Sequence, residues 1–132
     1  MRLGRGILTK PIWQMFGYTD DGAVYYDSAH VKRSGNVVTV WLGHTEATRI
    51  DKVLGPGKYE DATKNKDWGY VAAYLGVLVD EHGLDGMLKY QLQCDRDMIR
   101  AVGRSGIPES WNEILPRSNF AVLERRVCGG AK

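Results

Sequence analysis

Met87-Leu88-Lys89-Tyr90-Gln91-Leu92-Gln93-Cys94-Asp95 is the stretch that decides the fold. Leu88, Tyr90, Leu92 and Cys94 alternate strictly with Lys89, Gln91, Gln93 and Asp95. A period of two places successive side chains on opposite faces of a β-strand. The segment therefore reads as a strand with one apolar face, and Cys94 lies on the core side. Asp95-Arg96-Asp97 can turn the chain into a further strand, Met98 to Val102, after which Gly103, Gly106 and Pro108 make a loop.

Upstream, Ile12 to Tyr18 is rich in aromatic and β-favouring residues. Thr19-Asp20-Asp21-Gly22 supplies a turn whose Asp-Gly step tolerates positive φ, and Ala23 to Asp27 is the returning strand of a hairpin. Ser28 to Val31 reads as one helical turn and Arg33-Ser34-Gly35-Asn36 as a tight turn. Val37 to Leu42 is a third strand, with Val38, Val40 and Leu42 on one face. Short connections between successive strands imply an antiparallel meander. Gly43 to Lys66 has no sustained period and contains Gly55-Pro56-Gly57, so it reads as a surface loop with one helical turn around Thr45 to Leu54.

From Trp68 onward, Val71, Ala72, Leu75, Leu78 and Val79 recur at helical spacing, with Asp67 placed to cap the start and Gly83 the end. Gly69 and Gly76 weaken a helix, and Tyr70 to Val79 also passes as a buried strand. At the C-terminus, Ser118 is a good N-cap for a final helix with Phe120, Leu123 and Val127 on one stripe. Arg125 and Arg126 suit its last turn, and Gly129-Gly130 can end it. The fold class expected is α+β: an antiparallel sheet with a central helix and a C-terminal helix.

That last helix has about ten residues, fewer than the ~12–15 needed for even marginal helicity in water, so something must hold it down. Cys94 on the inner face of a strand and Cys128 at the helix end fit a structural disulfide between sheet and helix. The competing reading is two unrelated buried thiols.

Composition bounds the rest. The 132 residues suffice for one domain, read as 11–130 behind a loose tail of 1–10. Apolar residues at 43% and charged residues at 26% favour an ordinary globular chain over disorder or a membrane class. Eighteen basic and 16 acidic side chains leave a formal charge of only +2, too dispersed for a nucleic-acid footprint. The nearly uncharged run from Trp68 to Val79 is shorter than the ~18–20 residues a spanning helix needs, so no transmembrane segment is expected. Arg2 and Arg5 are not followed by an apolar core, and no signal peptide is visible. The chain is then either cytosolic or lacks a leader that has been removed.

No catalytic or cofactor motif stands out. His30, His44 and His82 lack the partners of a zinc site at the needed spacing, and Asp80-Glu81-His82 reads as a solvated helix end. Gly55-Pro56-Gly57-Lys58 is a turn rather than a phosphate loop. Gly103-Arg104-Ser105-Gly106 is not a hydrolase elbow, and Asp95 with Asp97 is a charged hairpin tip. No enzyme activity, metal or cofactor is therefore expected. Tyr25-Tyr26 beside Trp41 could form a stacking platform, although in a short sheet such residues, Trp41 and at least one tyrosine among them, are usually core.

Asp21-Gly22-Ala23-Val24-Tyr25-Tyr26-Asp27, followed by Val31-Lys32-Arg33-Ser34-Gly35-Asn36-Val37-Val38-Thr39-Val40-Trp41, resembles the opening of bacterial surface-adhesin protein E-like domains. Trp13, and the ending in which Cys94 is followed by Trp111, Ile114, Pro116, Ser118 and a helix closing on Cys128, share the resemblance. Arg49 to Leu84 departs from it. The resemblance implies a mainly antiparallel sheet, a C-terminal helix held by a disulfide, and an exported location in the periplasm or at the bacterial cell surface.

Two functions follow as expectations. In the first, the domain binds a protein partner through Trp68, Tyr70, Tyr74 and Val77, an apolar surface too broad to hide against one sheet and suited to homodimer formation. In the second, it binds a small ligand in a pocket lined by Tyr25, Trp41 and Tyr74.

Overall fold

The computed structural model describes residues 11–65, 85–103 and 105–129. The tail 1–10 and the segment from Trp68 to Val79, with its alternative helix and strand readings, lie outside the described residues. Among the described residues, seven strands form one antiparallel sheet and three helices pack on it. The strands are β1 (Trp13–Thr19), β2 (Gly22–Asp27), β3 (Lys32–Ser34), β4 (Val37–Glu46), β5 (Asp85–Gln93), β6 (Met98–Val102) and β7 (Asn112–Glu113). The order across the sheet is β1-β2-β4-β5-β6-β7, and β3 pairs with β4 as a short hairpin arm. The helices are α1 (Ala47–Leu54), α2 (Lys58–Asn65) and α3 (Asn119–Cys128). Among the described residues, no helix is long and apolar enough to cross a membrane.

The period-two pattern sorts the side chains into two cores. Val38, Val40 and Leu42 of β4, with Leu92 and Cys94, point to one face and pack with Ala121, Leu123 and Cys128 of α3. Ala23 and Tyr25 of β2 point to the other, where Ile50 of α1 and Tyr59 and Ala62 of α2 cover them. The register of β1 against β2 shifts between Met15 and Gly17, a bulge that leaves Phe16 as the extra residue. Phe16 thereby joins the α3 face, while Met15 and Tyr18 stay with the opposite core.

The disulfide expected from the sequence is present: Cys94 and Cys128 are bonded, with Cα atoms 5.7 Å apart. It ties α3 to the end of β5 and to the centre of the larger core, both sulfurs being buried. The N-cap is also as expected. Ser118 Oγ accepts from the Ala121 N–H at 3.3 Å and donates to the Leu115 carbonyl at 2.8 Å. Two further side chains fasten α3 to β1, as Asn119 Nδ2 donates to the Tyr18 carbonyl and Arg126 to the Met15 carbonyl.

Several sequence expectations are corrected. The stretch from Gly43 to Lys66 is not a loop with a single turn. Strand β4 continues to Glu46, with Thr45 fully buried opposite Ala23, and two helices follow. Their helical period is short and is set by tertiary contacts: Ile50 is fully buried, and Asp51 Oδ1 accepts the Tyr59 N–H at 2.8 Å, so α1 caps α2. Gly55 and Gly57 take positive φ of 123° and 79° in the connection. Arg33 and Ser34 belong to β3 rather than to a turn, and β7 has too few residues to leave a pattern. The glycine of the first hairpin also has a different purpose from the one anticipated. Gly22 does not adopt positive φ; a Cβ there would stand 2.2 Å from the Thr45 carbonyl oxygen, so glycine permits close approach to β4.

The smaller core carries a pH-dependent element. The Tyr59 hydroxyl donates to the Thr19 carbonyl, a bond only the protonated phenol can make. Burial, together with the nearby Asp20 and Asp21, pushes Tyr59 up to about 12, and burial raises Tyr25 as well. The folded state then holds these protons more tightly than the unfolded chain, whose tyrosines ionise near 10. The contribution of these tyrosines to stability is fully present below about pH 10 and is lost as pH rises toward about 12, by at most about 1.4 kcal/mol per pH unit for each. Chemical denaturation across this range should show a shallower decline for Tyr59→Phe than for the natural sequence.

Candidate functional site

The N-terminal end of α3 and the sheet beside it enclose a cleft of about 500 Å³. Val24 of β2, Leu42 of β4, and Leu88 and Tyr90 of β5 form its floor. Pairing explains why they converge: Val24 lies opposite His44, and Leu42 opposite Leu88, on the α3 face. Phe16, displaced by the bulge, and Phe120, in the first turn of α3, supply the aromatic walls. The Tyr90 and Phe120 rings lie 5.9 Å apart in a tilted arrangement, and Phe16 meets Tyr26 edge-on at 6.1 Å.

Four polar side chains reach the same space, Thr19, His44, Ser118 and Asn119. Three are engaged locally. Thr19 Oγ1 accepts from the Asp21 N–H, Ser118 caps α3, and Asn119 holds the β1 backbone, its carboxamide occupying the place a Cβ on Gly17 would need. His44 is half-buried and, among the described residues, neither ring nitrogen has a hydrogen-bond partner. Tyr90 is held protonated by burial, with Glu109 adding to the effect. The cleft thus offers an apolar body and one unengaged imidazole. Leu88 is 38% exposed at its floor. A large apolar side chain left open inside a concavity is what a ligand would cover.

The residues anticipated from sequence are distributed differently. Tyr25 is buried beneath α1 and α2 with 3% of its surface accessible, whereas Trp41 is 41% exposed, so Trp41 is not core. Neither lines the cleft, and Tyr74 lies outside the described residues, as do Trp68, Tyr70 and Val77. Of the histidines, His44 is in the cleft and His82 is outside the described residues. His30 pairs with Asp27 at 2.6 Å between Nδ1 and Oδ2. Asp27 also accepts the backbone N–H groups of Ile12 and Ala29, so the pair locks the turn after β2 to the start of β1. Ser28 Oγ donates to the Ile12 carbonyl and adds to the same lock. Among the described residues, no three His, Cys, Asp or Glu side chains gather as metal ligands would.

Sequence reasoning missed the cleft because alternation identifies which side chains share a face, not where the helix on that face leaves space. Leu88 of β5 was the available signal, since it continues the inward apolar series toward the end of the strand farthest from Cys94.

Fold and cleft together define a class: an antiparallel sheet with helices on both faces and an apolar, single-imidazole cleft under the N-terminus of a disulfide-held helix. Comparisons with protein-family models, with curated proteins and with solved structures found no match.

Proposed function

We propose that this is an exported domain of the bacterial cell envelope that acts by binding, and that its ligand is a small apolar molecule with one polar group. The cleft carries the reading: aromatic and aliphatic walls around about 500 Å³, an exposed Leu88 at the floor, and His44 as the polar handle. That volume falls within the range typical of small-molecule sites, roughly 300–1,000 Å³. The disulfide supports an oxidising compartment, where such bonds persist, and the likeness of both ends of the chain to surface-adhesin protein E-like domains supports the envelope. The protein-binding reading through Trp68, Tyr70, Tyr74 and Val77, and the homodimer it implied, rest on residues outside the described set.

2-Naphthol, a fused apolar ring with one hydroxyl, is a suitable probe. Calorimetric titration of the oxidised protein is expected to give one saturable site. Val24→Trp, which fills the floor from a half-buried position, should abolish it while leaving the unfolding midpoint within a few degrees. His44→Leu should weaken it by about five- to tenfold, the loss of one hydrogen bond. Absence of saturable binding, or equal binding by Val24→Trp, would refute the proposal.

A further inference from the structure

Helices α1 and α2 cover one part of the sheet face opposite α3. Farther along, it becomes aromatic and cationic. Trp41 of β4 lies opposite Lys89 of β5, Thr39 opposite Gln91, and Gln91 opposite Arg100 of β6. Cross-strand partners point to the same side, so these residues form two adjacent rows on one face. Lys89 Nζ stands 5.8 Å from the Trp41 ring centroid, and Arg100 Cζ lies 4.1 Å from that of Trp111. Arg100 Nε donates to Gln91 Oε1 at 2.9 Å. Each cation is thus set in place by an indole, and the guanidinium additionally by an amide.

Among the described residues, neither Lys89 nor Arg100 has a carboxylate within ion-pair distance. The two charges occupy diagonal positions on neighbouring strands, about 7–8 Å apart at the backbone. Lys32, opposite Thr39, adds a third. Among the described residues, two strand acids share this side. Glu113 sits at the rim opposite Met98, and the Asp27 carboxylate is already taken by two backbone N–H groups and His30. Ordered cations adjacent to one another without a counter-charge fit an anionic ligand, and Arg100 keeps its terminal amino groups for a carboxylate or sulfate.

We propose that this face binds an anionic polysaccharide, one rich in uronate or sulfate groups. Its charges would meet Lys89 and Arg100 while the C–H face of a sugar ring lies on the exposed indole of Trp41. Thr39 and Gln93, on the same face, suit a ligand rich in hydroxyls. A single-stranded nucleic acid fits less well. It needs successive free aromatic faces, and Trp111 is covered by Arg100 on one side. The disulfide favours the same choice, because an oxidising compartment is where such polysaccharides are met.

The test is titration of the oxidised protein, followed by tryptophan fluorescence, with hexameric oligogalacturonate, hexameric neutral maltooligosaccharide and hexameric oligo-dT. Saturable binding of oligogalacturonate is expected, weakening as salt rises to about 0.15 M, with little binding of the neutral glycan. Lys89→Gln with Arg100→Gln should lower the affinity by about tenfold or more without altering the circular dichroism. Trp41→Ala, read by calorimetry, should weaken binding as well. Absence of saturable binding of oligogalacturonate, tighter binding of oligo-dT than of oligogalacturonate, or a folded Lys89→Gln, Arg100→Gln variant that binds like the natural sequence would each overturn the proposal. Because Val24 and His44 lie on the other face, their variants should leave this titration unchanged, which separates it from the cleft.

Discussion

Cys94→Ala combined with Cys128→Ala is expected to lower the unfolding free energy by about 4 kcal/mol, measured by urea denaturation against the oxidised protein. The residues joined are 34 apart in sequence, and chain-entropy arguments assign a loop of this length roughly that stabilisation. For a domain whose whole stability is of the order of 5–15 kcal/mol, this is a large share. The loss should be concentrated in α3. Helix α3 has ten residues, and without the bridge it depends on Leu123, on the Ser118 cap and on the Asn119 and Arg126 hydrogen bonds to β1. Amide exchange in α3 should therefore accelerate more than in β4 or β5, and 2-naphthol binding should fall with it, because Phe120 forms one wall of the cleft.

Leu123→Ala is expected to cost about 2–5 kcal/mol, by the same measurement. Its side chain is fully buried in the larger core, where Leu92, Val38 and Cys128 are also closed off from solvent. Truncation removes apolar burial and leaves a void that the flanking strands cannot collapse into, since β4 is paired on both sides. Leu115→Ala is the control. Leu115 is 62% exposed, and its truncation should change stability by about 0.5 kcal/mol or less. A small effect at Leu123 would mean that α3 is not seated as described.

The sheet was legible because its central strands carry a strict two-residue period. Leu88 to Cys94 and Val38 to Leu42 each predicted a buried face, and both face α3. The last helix and its bridge were legible for a different reason: Ser118, the apolar stripe and Cys128 each mark a distinct part of one short element. The reading failed where local signals were weak and tertiary contacts decided. Helices α1 and α2 are eight residues each, separated by Gly55-Pro56-Gly57, and hold together through Asp51 at the Tyr59 N–H and through Ile50 in the core. Its place in a short sheet suggested that Trp41 is core, but its register opposite Lys89 places it on the part of the face opposite α3 that α1 and α2 leave open. The cleft was invisible for a geometric reason. It depends on how the first turn of α3 is seated beside the sheet and on a one-residue bulge that brings Phe16 to its wall, and neither is written in a hydrophobic pattern.

The cleft is tested most directly by a crystal structure of the oxidised protein saturated with 2-naphthol. The fused ring should lie between Leu88 and Phe120, with its hydroxyl within hydrogen-bond distance of His44. Naphthol bound elsewhere, or α3 closed down on Leu42 and Tyr90 with no space between them, would contradict a ligand site on this face.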